Sequence, residues 1–74
     1  MPLINVRLIE GVFDDDEKAQ MIEKLTDTMV EIEGENMRGV TWVVLEEVKS
    51  GDWAIGGQAL TTVDVHALAA GAPA

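Results

Sequence analysis

The chain opens on apolar positions broken by single polar ones. Leu3, Ile4, Val6, Leu8 and Ile9 are apolar with Asn5 and Arg7 between them, which predicts a β-strand over residues 3–9. Apolar residues on both faces predict a strand covered on both sides, by a helix and by another subunit. Glu10 and Gly11 end it. From Asp14 the period becomes helical. Asp14 is placed as N-cap with Glu17 three residues on, and the acids Asp15 and Asp16 favour the positive end of the helix dipole. Lys18, Met21, Ile22, Leu25, Met29 and Ile32 then recur at spacings of three and four, one apolar stripe with Lys18 at its rim. Gly34 is the expected C-cap, and Gly39 precedes a valine-rich second strand, Val40 to Val48, carrying Trp42.

Strand, helix and strand in this span make a βαβ unit, expected to have parallel strands and a right-handed crossover. Ser50-Gly51-Asp52 reads as a turn. The paired glycines of Trp53-Ala54-Ile55-Gly56-Gly57 allow a tight hairpin or a close backbone approach. Residues 58–68 pull two ways: Thr62, Val63 and Val65 favour a short strand, and Ala67 onward favours helix or fraying. Residues 1–68 are read as one domain and 69–74 as a loose, flexible tail.

Composition bears on assembly. A chain of 74 residues buries only ~60% of its unfolded surface and is marginal as a single core. It has no cysteine for disulfides and no cysteine or histidine set for a structural metal, yet 47% of its residues are hydrophobic. Self-association is the expected way to cover that surface. No run approaches the ~18 uninterrupted apolar residues of a membrane span, and no basic start with an apolar middle marks a signal peptide, so a cytoplasmic protein is expected. The net charge of −9 disfavours nucleic acid and anionic membranes as partners.

The candidate chemistry begins at Pro2. Removal of Met1, favoured when the next residue is small, would leave a secondary amine at the terminus. An α-amine has an ordinary pKa of ~7.7–8.0, and a modest fall makes it a general base at neutral pH. The acidic field of the chain pushes that pKa up, so only desolvation in an apolar pocket can bring it down. With Met1 retained, Pro2 would be a tertiary amide with no basic nitrogen. The other candidates are plainer. The acids of residues 14–17 diverge around a helix start and read as a cap rather than a metal site. Glu46 and Glu47 point to opposite faces of a strand. Asp52 is expected to order its turn, and His66 to be a satisfied or solvent-exposed residue.

Met1-Pro2 feeding a strand, the Ile9-Glu10-Gly11 strand end, the acidic helix start, and the stretch from Glu47-Val48 to Trp53-Ala54-Ile55-Gly56-Gly57 together resemble the 4-oxalocrotonate tautomerase family, the small-subunit branch of the tautomerase superfamily. The resemblance covers roughly residues 2 to 60 of the sequence. It implies an α/β (α+β) fold of the tautomerase/MIF-like kind, a β-α-β unit with a trailing hairpin, assembled as a homohexamer, commonly a trimer of dimers. It also implies keto–enol isomerisation of an unsaturated 2-oxo acid by Pro2 as general base, with no metal or organic cofactor.

The departures from that pattern are specific. Founding members carry an arginine after the strand-ending glycine and a second early in the second strand, which bind the substrate carboxylate and polarise its carbonyl. Here those positions fall on Val12 or Phe13 and on Trp42, none of which offers a guanidinium's bidentate pair. The aromatic wall before Ile55-Gly56-Gly57 is kept as Trp53. The substrate-binding candidates are therefore Val12, Phe13, Trp42 and Trp53, with Arg7 and Arg38, the two arginines of the chain, as sources of positive charge that surface or interface ion pairs would equally explain. A pocket of this kind is more apolar than the founding one and ill suited to a dicarboxylate. Two other readings stand beside the tautomerase: a hydrolase or decarboxylase of the superfamily with Pro2 as general acid, and a non-catalytic subunit of a hetero-oligomer whose other chain supplies arginines.

Overall fold

The structure, a computed structural model, describes residues 1–71; residues 72–74 of the expected tail lie outside the described residues. The elements in chain order are β1 (Leu3–Ile9), α1 (Asp15–Glu33), a 3-10 turn (Glu35–Val40), β2 (Trp42–Val48), β3 (Trp53–Ile55), β4 (Gln58–Leu60) and α2 (Thr62–Ala69). β1 and β2 pair in parallel, and β3 and β4 form a separate antiparallel hairpin. This is the α+β arrangement expected from the pattern. The described residues group into two compact units. One holds Met1–Val6 and Asp14–Glu46; the other holds Arg7–Phe13 and the chain from Glu47 onward.

In the first unit, α1 is bounded by local chemistry. The Asp14 carboxylate accepts the Glu17 N–H at 2.8 Å, and the Glu17 carboxylate accepts the Asp14 N–H at 3.1 Å, a reciprocal capping box. Gly34 ends the helix, donating its N–H to the Val30 carbonyl at 2.8 Å. The buried stripe departs from the expected one at its C-terminal end. Val30 is the buried residue of the helix, whereas Ile32 is 78% exposed and Ile22 also faces outward. At 100° per residue, Val30 follows Thr26 onto the inner face and Ile32 falls outside it. The second strand also starts later than expected. Gly39 and Val40 belong to the 3-10 turn, closed by the Thr41 N–H on the Arg38 carbonyl, and β2 begins at Trp42.

β1 alternates as a strand with one covered face should. Ile4, Val6 and Leu8 are half-buried, while Leu3, Asn5 and Arg7 are exposed, and Leu3 is one of the large apolar side chains the single chain leaves uncovered.

In the second unit, β3 and β4 pair in the register Trp53 with Leu60, Ala54 with Ala59 and Ile55 with Gln58. The two-residue loop between them is Gly56-Gly57, with φ of 60° and 85°. Two successive positive φ values are what a type I′ hairpin turn demands, and glycine meets them without a Cβ penalty. Of the two leanings read in residues 58–68, the strand preference of Thr62, Val63 and Val65 is not followed. These residues start α2, which runs to Ala69 and so includes the first residue of the expected tail. The Thr61 hydroxyl accepts the Asp64 N–H and the Asp64 carboxylate accepts the Thr61 N–H, a second capping box that outweighs the β preference of three branched residues.

Candidate active site

Pro2 lies in the first unit at the entry to β1. Its carbonyl accepts the N–H of Trp42, the first residue of β2, at 3.0 Å, and the residue is half-buried. The sheet thus holds the backbone immediately after the proline ring, a condition for any base that must meet a substrate in one orientation. Trp42 is brought beside Pro2 by that bond and remains 56% exposed.

Arg38, also in the first unit, is committed to its own chain. Its Nη1 donates to Asp27 Oδ1 at 2.8 Å, its Nε to Glu35 Oε1 at 2.8 Å and its Nη2 to Glu35 Oε2 at 3.2 Å. Hydrogen bonds to Glu35 and then Asp27 push the guanidinium further above its ordinary pKa. The same bond from Arg38 holds the Glu35 carboxyl below its ordinary value. A substrate carboxylate reaching Arg38 would compete with two carboxylates already in place. Glu46 accepts a hydrogen bond from Asn5 Nδ2 at 2.8 Å. The acids at residues 14–17 are spent on the α1 start, and among the described residues no three His, Cys, Asp or Glu side chains gather as for a metal ion.

The second unit brings four of the expected residues together. Arg7, Val12, Phe13 and Trp53 line one pocket of about 260 Å³, joined by Leu8, Ile9, Leu60 and Val65. Its lining is apolar except for Arg7, which contributes a positive charge. The volume sits just under the ~300 Å³ lower end of drug-sized sites, room for a small metabolite. Elements that meet at the end of β1 build its walls. The Glu10 N–H donates to the Val48 carbonyl at 2.8 Å, the Gly11 N–H to Glu47 Oε2 at 3.3 Å, and the Ser50 N–H to Glu10 Oε1 at 3.1 Å. Val12 closes the turn with its N–H on the Ile9 carbonyl, which aims Val12 and Phe13 back past the strand. A larger depression, about 670 Å³, lies between the hairpin and α2. Its one ionisable residue, Asp64, is occupied in the α2 cap, and none of the expected substrate-binding residues lines it. The smaller pocket is the better candidate, on chemistry rather than size.

Leu60 and Val65 were missed as pocket residues because residues 58–68 read ambiguously. The signal that finds them is Thr61-x-x-Asp64, the same type of cap as Asp14-x-x-Glu17. His66 is exposed and satisfied: its Nε2 lies 3.1 Å from the Gly11 carbonyl, an acceptor that requires the ring nitrogen to donate.

The sequence profile described as "Tautomerase enzyme" matches residues 2–63. The chain belongs to the tautomerase family. A probable tautomerase of Dickeya dadantii is 33% identical over 61 residues, spanning 82% of this chain and 90% of that protein. A probable tautomerase of Helicobacter pylori is 32% identical over 62 residues, with 81% and 90% covered. Among solved structures, the crystal structure of a 4-oxalocrotonate tautomerase homologue superposes with a TM-score of 0.70 at 30% identity, covering 86% of this chain and 95% of that one. The tautomerase family carries with it an isomerase-type activity. Among the described residues no helix is long and apolar enough to cross a membrane.

Proposed function

We propose that this tautomerase interconverts the keto and enol forms of a 2-oxo acid without a cofactor, using the Pro2 nitrogen, freed by removal of Met1, as general base. Family membership together with the half-buried Pro2 tethered to Trp42 carries this reading. The neutral amine takes a proton from carbon next to the carbonyl, or from the enol oxygen. The resulting cationic ring faces the enolate or dienolate it has generated, and the proton returns at another position of the conjugated system. The expected substrate-binding residues Arg7, Val12, Phe13 and Trp53 share a pocket within the second unit. Its apolar lining suits a substrate with one carboxylate and an apolar substituent better than a dicarboxylate, because a second buried carboxylate would need a charged hydrogen-bonding partner of its own.

The protein acts as a homo-oligomer in this reading, a hexamer by analogy with the family. Exposed Leu3, Ile22, Ile32, Trp42, Ile55 and Val63 supply the apolar surface that subunit contacts would cover.

The deciding experiment is phenylpyruvate tautomerisation by the mature protein and by Pro2→Ala. Pro2→Ala exchanges the ring's secondary amine for a primary one of different basicity and placement, which should lower the rate by ~10²-fold; an unchanged rate would end this reading. Its pH–rate profile should rise as the amine loses its proton. A profile that falls through the same range would instead mark Pro2 as a general acid. Intact mass should show the chain one methionine lighter than its sequence.

A further inference from the structure

We infer that α2 is the specificity wall of the second unit's pocket, with Val65 setting how large a substrate side chain is admitted and Thr62 and His66 acting as positioning residues that hold it there. The inference rests on the tautomerase reading above and adds to it the part of the chain that chooses the substrate. The family match ends at residue 63, so Val65 and His66 lie beyond it.

Thr62, Val65 and His66 stand at i, i+3 and i+4, one face of the helix. Thr62 and Val65 are half-buried, whereas Val63, between them in sequence, is 75% exposed. That face is anchored at three points. The Thr62 N–H donates to Ser50 Oγ at 2.9 Å, the Thr62 hydroxyl donates to the Glu10 carbonyl, and His66 Nε2 donates to the Gly11 carbonyl at 3.1 Å. Two consecutive carbonyls at the end of β1 thus receive two side chains one helical turn apart.

The approach is close, and the backbone conformation there favours glycine. Gly11 has φ of +77°, and a Cβ placed on it would come 3.2 Å from Thr62 Cγ2. An isolated helix of this length is not stable in water. These anchors therefore decide where α2 lies, and they lie immediately before Val12 and Phe13, on the pocket's opposite lining. Val65 is the pocket-lining residue that α2 contributes.

The test compares two substrates of different side-chain size on the full mature chain. They are phenylpyruvate and 2-oxobutanoate, the latter followed by deuterium exchange at its third carbon. Val65→Phe should lower the phenylpyruvate-to-2-oxobutanoate ratio of kcat/KM by about tenfold or more, within the 10–200-fold that pocket shape commands. Val65→Ala should act the other way, raising kcat/KM for a naphthyl analogue of phenylpyruvate relative to 2-oxobutanoate. Opposite responses from a larger and a smaller side chain exclude mere misfolding. Thr62→Val and His66→Leu should raise KM for phenylpyruvate several-fold while kcat stays within about twofold, with Thr62→Ser and His66→Gln restoring it because each keeps a donor for its carbonyl.

Binding gives a readout independent of turnover. With Trp42→Phe, Trp53 becomes the sole tryptophan and reports cinnamate binding by fluorescence. Val65→Phe should weaken that binding about tenfold. Cinnamate affinity and substrate ratio both unchanged in the two Val65 variants would overturn the inference, as would equal losses on both substrates in Thr62→Val that Thr62→Ser fails to restore. If Pro2→Ala keeps full activity while cinnamate binding still tracks Val65, the general-base reading fails and the wall stands.

Discussion

Gly11 shows how much can rest on one residue. Its positive φ is disfavoured for any residue with a Cβ by ~1–2 kcal/mol, and Thr62 leaves little room for one. Gly11→Ala should lower the urea midpoint of unfolding by a shift equivalent to about 1–2 kcal/mol, with the slope unchanged. Glu35 and Arg38 are a second single-residue case. Arg38 holds the Glu35 carboxyl below its ordinary 4.5, so the folded chain binds fewer protons there than the unfolded one. The stabilisation from this pair is present above that ordinary value and fades as pH falls through the lowered one. Arg38→Gln should return the Glu35 carboxyl upward, readable by NMR titration. Both residues being solvent-exposed, the gain to folding is small and salt-sensitive. The sequence left Arg38 open between substrate and ion pair, because Asp27 and Glu35 meet it only once α1 has ended and the chain has turned back in a 3-10 helix.

At the scale of elements, the caps carry much of the boundary information. Asp14→Ala should cost about 1 kcal/mol, seen as a lower thermal midpoint, because it removes one side of a reciprocal pair. In the hairpin, Gly56→Asn should be tolerated within about 0.5 kcal/mol, since Asn-Gly suits a type I′ turn, whereas Gly57→Val forces a branched side chain to positive φ and should destabilise clearly by the same measure. The start and end of α1 and the hairpin were legible beforehand, because each depends on a few neighbouring residues. The identity of residues 62–65 was not. Thr62, Val63 and Val65 lean towards strand in isolation, and the cap between Thr61 and Asp64, reinforced by the Ser50, Glu10 and Gly11 anchors, decides for helix. Val30 is buried where Ile32 was expected to be for a related reason: spacing alone does not say on which side a helix's last turn meets its support.

For the whole molecule, the single chain buries little. Among the described residues Ile9 and Val30 are the buried ones, at 7% and 5% exposure, and no side chain is buried completely. Native mass spectrometry should find a multiple of the chain mass, six-fold in the proposed assembly. Each chain carries nine excess negative charges, and like charges brought together repel over the ~8–10 Å Debye length of physiological buffers. The assembly should therefore loosen at low ionic strength and tighten as salt is added, checked by sedimentation across a salt series. A monomer at all salt concentrations would contradict it.

Sequence alone determined what depends on near neighbours and composition: a β-α-β chain with capped helix and glycine hairpin, and an excess of apolar residues over what so short a chain can cover. Its order of motifs also pointed to the tautomerase family. Only tertiary structure decided which residues share a pocket and what each charge is paired with. Arg7, Val12 and Phe13 meet Trp53 and Val65 across some forty to sixty positions of chain, and α2 is held by carbonyls of residues just as distant. Such contacts arise when chain segments pack and pool their hydrogen-bonding groups, and no local period records them.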